Sequence, residues 1–421
     1  MKQNYNCSKF LLKHYLAFLY MLFPILGIKG QIKDTLNVAL FLYEGVELLD
    51  FSGPGEVMAA ASYYTDVYHF NVYTVAKEKE LTSQGFLKIT PNYDLNNAPK
   101  TDILILPGGF AGESINDVKT QEWMNSQLDK TSHVLTVCSG VYFLENPGKL
   151  NDIKITSHHK IIPFLKESLG AENVMEDVKY VDSGKIITSA GVSSGIEGAL
   201  WTVARIAGYE VANRTARYME YPQWNFSVGH TTYDLMSKTD NYLKPGNKEI
   251  PDFGILDVAG HLAYEKGNSA AALKYFEKNK EYYPKSALTY YGLSQALKNA
   301  KEWTPDTYED FLNVLRNDTA KAQKMYERAK EAYPDWILFT VKDITVRGYN
   351  LQSLERFKEA ETVFQMGLET YPNDLELTVQ LIKIQEKLGN RNEALKTLKK
   401  ALEALPRQKE LLQLEQTINS K

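Results

Sequence analysis

The chain has 421 residues, of which 44% are hydrophobic and 24% charged, and its 48 basic and 52 acidic side chains give a formal net charge of −4. This hydrophobic content excludes an intrinsically disordered chain, and two cysteines are too few for a disulfide scaffold. The balance of charge argues against a nucleic-acid-binding protein, and the length predicts two or three domains.

Residues 1–30 have the features of a secretory signal: basic residues, no acid and an apolar run over residues 15–28. The run is short for a membrane span, so we expect export with cleavage after Gly30, and an uncleaved amino-terminal anchor is the alternative. Cleavage would remove four lysines, which changes the net charge from −4 to −8, and also Cys7. Cys138 would then be the only cysteine, either a buried bystander or a reactive group.

From residue 37 to about residue 208, apolar strands alternate with helical patterns. Continuous apolar runs are typical of parallel strands that are buried on both faces. The alternation predicts an α/β domain with a mostly parallel sheet over residues 31–221. The predicted strands cover residues 37–42, 70–75, 102–106 and 133–137, and the predicted helices cover residues 55–64, 120–130, 139–146, 160–169 and 194–207. Residues 222–250 are polar and without a clear period, so we expect a linker there.

A helical repeat pattern follows over residues 251–421. Four alanines each precede a proline by 12 residues, and a large side chain follows each alanine after four residues. The alanines are Ala272, Ala322, Ala360 and Ala394; the large residues are Phe276, Tyr326, Phe364 and Leu398; the prolines are Pro284, Pro334, Pro372 and Pro406. The pattern resembles the tetratricopeptide repeat, with an insertion around residues 303–319, and a generic helical bundle is the alternative. Stacked helix pairs form a groove that binds peptides or protein partners.

Cys138 is the first candidate catalytic residue, because it lies between a predicted strand and a predicted helix. A nucleophile on such a turn is exposed. The amino terminus of the helix favours an anion, which predicts a lowered thiol pKa. By residue type alone, a small buried apolar cysteine is the alternative.

A glycine turn and two kinds of titratable residue are expected beside Cys138, because the carboxyl ends of parallel strands meet in one crevice. Gly108 and Gly109 end one strand, and their N–H groups with that of Ser139 could form an oxyanion pocket. A plain strand-ending turn is the alternative there.

Asp50 could exchange a proton with the thiol, although it could also be a capping or turn aspartate, and Glu47 and Glu56 are neighbouring candidates. His158 is a possible acid or base, and in an extended segment it would point away from His159. The sequence has no zinc-type cluster and no glycine-rich phosphate loop, so we expect no metal and no nucleotide cofactor.

Residues 35–221 resemble the DJ-1/PfpI (ThiJ/PfpI) superfamily, which has the class I glutamine amidotransferase-like fold. The matching segments are LLDFSGPGEV, ILILPGG, TVCSGVYFL, ITSHHK and ITSAGVSSGIEGAL. The branch looks like the one shared by isonitrile hydratases and the amino-terminal domains of AraC-type regulators. Here the repeats stand where such regulators carry a DNA-binding helix-turn-helix, so no transcriptional role is expected.

The resemblance implies a flavodoxin-like three-layer sandwich that forms a homodimer. It implies that Cys138 is the nucleophile and that Asp50 is its acidic partner, and it puts His158 near the thiol. The anion-pocket positions fall on Gly108, Gly109 and Ser139. Ser139 also stands where members with a peptidase-type triad place a histidine, which argues against such a triad.

Two functions follow as expectations. The first is an exported cysteine-dependent enzyme that attacks an electrophilic carbon of a small molecule, as in isonitrile hydration or C–N bond hydrolysis. The second is a non-catalytic ligand-binding or redox-sensing module whose repeats recruit a protein partner.

Overall fold

The computed structural model describes residues 34–221, 224–299 and 308–419. The predicted signal at residues 1–30 lies outside these ranges. The described residues divide into two compact units, one that runs to Asp343 and one that begins at Ile344. No described helix is both long and apolar enough to cross a membrane.

An eight-stranded sheet forms the centre of the first unit, in the order β10-β8-β9-β7-β6-β1-β2-β5. Neighbouring strands are parallel except for the antiparallel pair β8–β9. The strands are β1 (Asp34–Leu42), β2 (Tyr68–Ala76), β5 (Tyr93–Asp94), β6 (Ile103–Leu106), β7 (His133–Val137), β8 (Tyr180–Asp182), β9 (Ile186–Ser189) and β10 (His230–Thr231), with β3 (Leu81–Ser83) and β4 (Leu87–Ile89) in a separate hairpin. The predicted mostly parallel sheet is confirmed.

Helices cover both faces of the sheet because successive side chains of a buried strand point in opposite directions. On β1, Leu40 packs against Gly55 on one face. On the other face, the ring of Phe41 stacks on Trp123 at 5.5 Å and meets Phe143 edge-on at 5.2 Å. The helices of this part are α1 (Leu48–Ala61), α2 (Gly112–Asn116), α3 (Val118–Lys130), α4 (Ile162–Leu169), α5 (Ser194–Ala207) and α6 (Tyr209–Tyr218). This arrangement is the flavodoxin-like three-layer sandwich.

Two predicted helices differ from the observed ones. The segment after β7 is a 3-10 helix, Cys138–Leu144, rather than an α-helix over residues 139–146. Helix α1 begins seven residues before the predicted start at residue 55 and contains Pro54. A proline in a helix removes one backbone hydrogen bond, which this helix tolerates. Asp50 therefore lies in the first turn of a helix and not at a strand end.

Residues 224–250, which belong to the predicted linker, are attached to the edge of the sheet. They contain β10 and α7 (Leu235–Leu243). The hydroxyl of Tyr233 donates to the buried carboxylate of Asp182 at 3.0 Å, which also accepts hydrogen bonds from Trp201 and Arg205. A buried carboxylate needs such donors, and one of them comes from this segment.

The remaining described residues are mostly helical. Besides α1–α7, the first unit contains α8 (Phe253–Glu265), α9 (Ser269–Tyr282), α10 (Ala287–Asn299), α11 (Tyr308–Asn317) and α12 (Thr319–Ala332). Five more helices follow along the chain: α13 (Val341–Ser353), α14 (Phe357–Thr370), α15 (Leu375–Lys387), α16 (Arg391–Ala404) and α17 (Lys409–Asn419). The boundary between the two units lies in α13 and not in the expected linker. Of the expected insertion, residues 303–307 lie outside the described ranges.

The residues of the repeat pattern lie at tight helix–helix contacts. Helices α9, α12, α14 and α16 each end two residues before one of the four prolines, and the four alanines are fully buried. A Cβ atom on Gly260 would lie 2.5 Å from the ring of Phe276, and one on Gly348 would lie 2.2 Å from the ring of Phe364. Only a residue without a side chain permits these approaches. The tetratricopeptide assignment itself stays a prediction.

Helices α8 and α10 join the α/β part of the first unit near the amino ends of its strands. Asp66, just before β2, accepts hydrogen bonds from the Ser286 hydroxyl at 2.6 Å and from the Ala287 N–H at 2.7 Å. His133, the first residue of β7, pairs with Asp252 at 3.1 Å. Cys138 follows the opposite end of β7, so these contacts lie away from it.

We predict that Asp66→Ala lowers the stability of the first unit by about 1–3 kcal/mol, because the buried Ala287 N–H and Ser286 hydroxyl lose their acceptor. The midpoint of thermal unfolding measures the loss. Asp129→Ala is the matched control: its carboxylate is 71% exposed and pairs only with Lys149, so its removal should change stability by less than about 1 kcal/mol. Equal midpoints for both variants would contradict this role of Asp66.

Candidate active site

Asp50 is the point at which three loops of the α/β domain meet. Its side chain is fully buried in the first turn of α1. Oδ2 accepts a hydrogen bond from the N–H of Gly108, after β6, at 2.9 Å. Oδ1 accepts one from the N–H of Val192, after β9, at 3.1 Å. The carboxylate is therefore fixed by backbone donors from two loops that are distant from it in sequence.

Cys138 follows β7 in a left-handed conformation, with φ at 56°. This conformation is uncommon for a residue with a side chain and is stabilised by its surroundings. The Ser157 hydroxyl donates to the Cys138 carbonyl at 2.6 Å. The half-buried thiol is hydrogen bonded with the Asp50 carboxylate and with the N–H and hydroxyl of Ser139. The structure thus brings the predicted nucleophile and its predicted acid into contact.

Gly108 permits this contact because it has no side chain. A Cβ atom at this position would lie 2.8 Å from each of three atoms: Asp50 Oδ2, Cys138 Cβ and the backbone nitrogen of Ser139. Carbon atoms do not approach other heavy atoms so closely without displacing them. The glycine therefore determines how near the thiol and the carboxylate can be.

The N–H groups that we expected to form an oxyanion pocket hold the site together in this structure. The Gly108 N–H donates to Asp50, and the Gly109 N–H donates to the Ser139 hydroxyl oxygen at 3.1 Å. The Ser139 N–H is directed to the sulfur of Cys138. These donors position the nucleophile and the acid relative to each other.

The thiol has a raised pKa, and the expectation of a lowered one is wrong. Burial raises the pKa of Cys138 to about 12, and the negative charge of Asp50 adds to this effect. The hydrogen bonds from Ser139 act in the opposite direction but are weaker. Burial also raises the pKa of Asp50, to about 6. At neutral pH the pair is a neutral thiol beside a largely ionised carboxylate, which can accept the thiol proton.

His158 lies in a different environment from the thiol. The chain turns at residues 159–160, and the rings of His158 and His159 lie tilted at 34° to each other with centroids 4.2 Å apart, so they do not point in opposite directions as expected. The His158 ring lies against Gly191. Burial and the charges of His159 and Lys160 lower the pKa of His158. Within the described residues, His158 makes no hydrogen bond to Cys138 or Asp50.

The remaining carboxylates differ in exposure. Glu56 points to solvent from α1, whereas Glu47 is half-buried at the start of the same helix. The charge of Glu47 contributes to the raised pKa values of both Cys138 and Asp50, so it lies close to the pair. No three His, Cys, Asp or Glu side chains in the described ranges are placed to bind one metal ion.

Two residues of the site were missed in the sequence. Val192 supplies an N–H to Asp50 and has a φ of 48°, which is rare for a β-branched residue. Tyr43 donates from its hydroxyl to the Pro107 carbonyl at 3.1 Å, and burial and the Asp50 charge raise its pKa. Val192 acts through its backbone, so its side chain carries no signal. Tyr43 follows a buried strand and looks like part of the core.

A cleft of about 1270 Å³ opens beside the site. Gly109 and Ser139 connect it to the thiol turn, and Gln84 of the β3–β4 hairpin also lines it. Phe110, which is 87% exposed, and Tyr142 give it aromatic surface. The cleft is large enough for a small organic molecule.

Comparisons with known proteins find similarity to DJ-1/PfpI-type proteins in the α/β domain. The model of the DJ-1/PfpI family matches residues 36–204. An isonitrile hydratase from Pseudomonas putida is 29% identical over 192 residues, which cover 44% of this chain and 79% of that protein. Protein DJ-1alpha from Drosophila melanogaster is 26% identical over 195 residues, 45% of this chain and 86% of that protein. The crystal structure of a ThiJ/PfpI family protein from Pseudomonas syringae is 24% identical, with a TM-score of 0.41 over 58% of this chain and 93% of that chain.

We predict that Asp50→Asn lowers the thiol pKa of Cys138 by about 1–3 units, because a negative neighbour disfavours the thiolate. The pH dependence of alkylation by iodoacetamide, followed on the Cys138 peptide by mass spectrometry, measures this shift. Glu47→Gln should shift the midpoint in the same direction by a smaller amount, because the Glu47 charge has the weaker effect. A midpoint that stays unchanged in Asp50→Asn would show that the carboxylate does not act on the thiol.

We further predict that Gly108→Ala separates the thiol from the carboxylate, since the added methyl group would occupy the space between them. The alkylation midpoint of Cys138 should then fall, while the fold is retained. Gly112→Ala is the matched control in the same cleft, where an added Cβ meets no atom within 4 Å. The same midpoint in both variants would rule out this role for Gly108.

Proposed function

Because residues 36–204 are a DJ-1/PfpI family domain, we propose that this chain is a cysteine-dependent hydratase of small molecules that carry an electrophilic terminal carbon, with isonitriles as its substrate class. The observation that carries the proposal is the contact between the neutral Cys138 thiol and the Asp50 carboxylate. The relative named isonitrile hydratase supports the choice of substrate. Its similarity extends over the α/β domain.

In the first half of the reaction, the thiol adds to the terminal carbon of R–N≡C. The sulfur–carbon bond forms while Asp50 accepts the thiol proton, so no free thiolate has to accumulate. Asp50 then delivers the proton to the same carbon, which gives the thioimidate R–N=CH–S–Cys138. A carboxyl group with a pKa of about 6 is suited to accept and return a proton near neutral pH.

In the second half, water hydrolyses the thioimidate. Its oxygen bonds to the thioimidate carbon, the nitrogen gains a proton, and the carbon–sulfur bond breaks. The products are the formamide R–NH–CHO and the free thiol of Cys138. Ser139, whose N–H and hydroxyl lie at the sulfur, holds the reacting centre in place during both halves.

A second candidate function is a non-catalytic ligand-binding or redox-sensing module. The raised pKa of Cys138 favours it, because the resting thiol is uncharged and a poor nucleophile by itself. In this case the helical region would recruit a protein partner through a repeat-type groove. A homodimer through the α/β domain is compatible with either function.

We predict that the full chain converts an isonitrile to the formamide, and that Cys138→Ala and Asp50→Asn each lower kcat/KM at least about 100-fold. Formamide release followed by chromatography measures this. Between pH 5 and 7 the wild-type kcat/KM should rise with a midpoint near 6, because Asp50 has to be ionised to accept the proton. In Asp50→Asn the rise of kcat/KM between pH 5 and 7 should disappear, even though the Cys138 thiol of this variant is more acidic.

His158→Ala is the control for this experiment, since His158 makes no hydrogen bond to the pair within the described residues. It should keep kcat/KM within about threefold of the wild type. An isonitrile turnover that is unchanged in Cys138→Ala would exclude the cysteine mechanism. Ligand binding without turnover, equal in wild type and Cys138→Ala, would favour the second candidate.

A further inference from the structure

Asp50 cannot activate the water of the second half-reaction. It is fully buried, and both of its oxygens accept backbone hydrogen bonds, from Gly108 and from Val192. The thiol of Cys138 also hydrogen bonds with this carboxylate. A general base has to reach the water whose proton it takes. Hydrolysis of a Cys138 adduct therefore requires a second group that faces both the solvent and the adduct.

Glu47 is a carboxylate beside the site that is partly open to solvent. It lies one turn before Asp50, at the start of α1, and its N–H donates to the Gly108 carbonyl at 2.9 Å. That contact fixes its backbone to the same glycine whose N–H holds Asp50. The side chain is half-buried, so one side of it faces solvent.

The carboxylate of Glu47 is oriented by a neighbouring loop. Oε1 accepts a hydrogen bond from Nε2 of Gln84 at 2.5 Å. Gln84 belongs to the β3–β4 hairpin and lines the cleft together with Gly109 and Ser139. Within the described part of the chain, Oε2 has no hydrogen-bond donor, which leaves it for a water molecule.

The charge of Glu47 acts on four titratable groups of the site. Its charge raises the pKa values of Asp50, Cys138 and Tyr43, and it also raises that of His158. The Glu47 carboxylate therefore lies near the thiol and, unlike Asp50, is only half-buried.

We propose that Glu47 is the general base that activates water for release of the product from Cys138. This inference rests on the proposed function in that it requires a covalent Cys138 adduct. With a thioimidate, the water oxygen bonds to the carbon, one water proton passes to Glu47, and Glu47 passes it to the nitrogen. The carbon–sulfur bond then breaks, and the proton of the new hydroxyl group moves to the leaving sulfur.

Two other groups near the cleft are less suited to this role. Glu44 also lines the cleft, but its carboxylate accepts the N–H of Thr82 at 2.8 Å, and its charge is not among the main causes of the raised pKa of Cys138. The ring of His158 packs against that of His159, and its Nδ1 accepts the Lys160 N–H at 3.3 Å. Within the described residues His158 makes no hydrogen bond to Cys138.

The test separates adduct formation from adduct hydrolysis in the full chain, with p-nitrophenyl acetate as the probe. The Cys138 sulfur bonds to the acetyl carbon, p-nitrophenolate leaves, and Asp50 takes the thiol proton. Water then releases acetate: its proton goes to Glu47, and Asp50 returns a proton to the sulfur. Intact-protein mass spectrometry follows the acetyl adduct, and isonitrile turnover is measured in parallel.

In Glu47→Gln we expect the adduct to form within about twofold of the wild-type rate and to decay about 100-fold more slowly, so that it accumulates. Glu44→Gln is the same change three residues earlier, and its acetyl adduct should decay at the wild-type rate. Gln84→Ala frees the Glu47 carboxylate and should slow decay by a smaller factor. This variant changes an exposed hairpin residue and leaves α1 intact.

Each result decides between the two proposals. Equal decay in Glu47→Gln and wild type, or equally slow decay in Glu44→Gln, overturns the role of Glu47. Slow decay in Glu47→Gln without isonitrile turnover by the wild type supports Glu47 as the base and overturns isonitriles as the substrate. A wild-type chain that forms no adduct overturns both proposals, because Cys138 is then not a nucleophile.

Discussion

The carboxylate of Asp50 is the group on which the arrangement of the site depends. A buried carboxylate has to be supplied with hydrogen-bond donors, and this one receives the N–H of Gly108, the N–H of Val192 and the thiol of Cys138. These donors come from the turns after three different strands of the sheet. Satisfying one carboxylate therefore sets the relative positions of three loops and of the nucleophile.

The same contact determines the chemistry available to the thiol. A helix amino terminus stabilises a thiolate, but burial and a neighbouring carboxylate destabilise it. Here the second effect is larger, because the segment after Cys138 is a short 3-10 helix and the carboxylate is in direct contact. In the resting pair the proton is on the sulfur of Cys138, and it can move to the Asp50 carboxylate when the sulfur attacks an electrophile. This is general-base catalysis of a thiol and differs from attack by a preformed thiolate.

The helical region and the site use opposite ends of the sheet. Asp66 and His133 lie at the amino ends of their strands and hold α8 and α10, whereas Asp50, Gly108 and Cys138 gather at the carboxyl ends. In an open α/β sheet the carboxyl end is where ligands bind. Attachment of the helices at the amino ends near Asp66 and His133 is compatible with a small molecule entering beside Ser139.

The sequence by itself determined four strands of the sheet, their alternation with helices, the place of Cys138 after a strand, the glycine turn and the repeat pattern of the helices, because each of these is a local pattern of side chains. Only the tertiary structure decided that the Asp50 carboxylate is bound by Val192, 142 residues away, and that the N–H groups of Gly108 and Gly109 donate to Asp50 and Ser139. It also decided the protonation of the thiol. Burial and long-range charge set a pKa, and neither is encoded in a local motif. The attachment of residues 224–250 to the sheet was missed for the same reason: the carboxylate of Asp182 that binds Tyr233 lies 51 residues away.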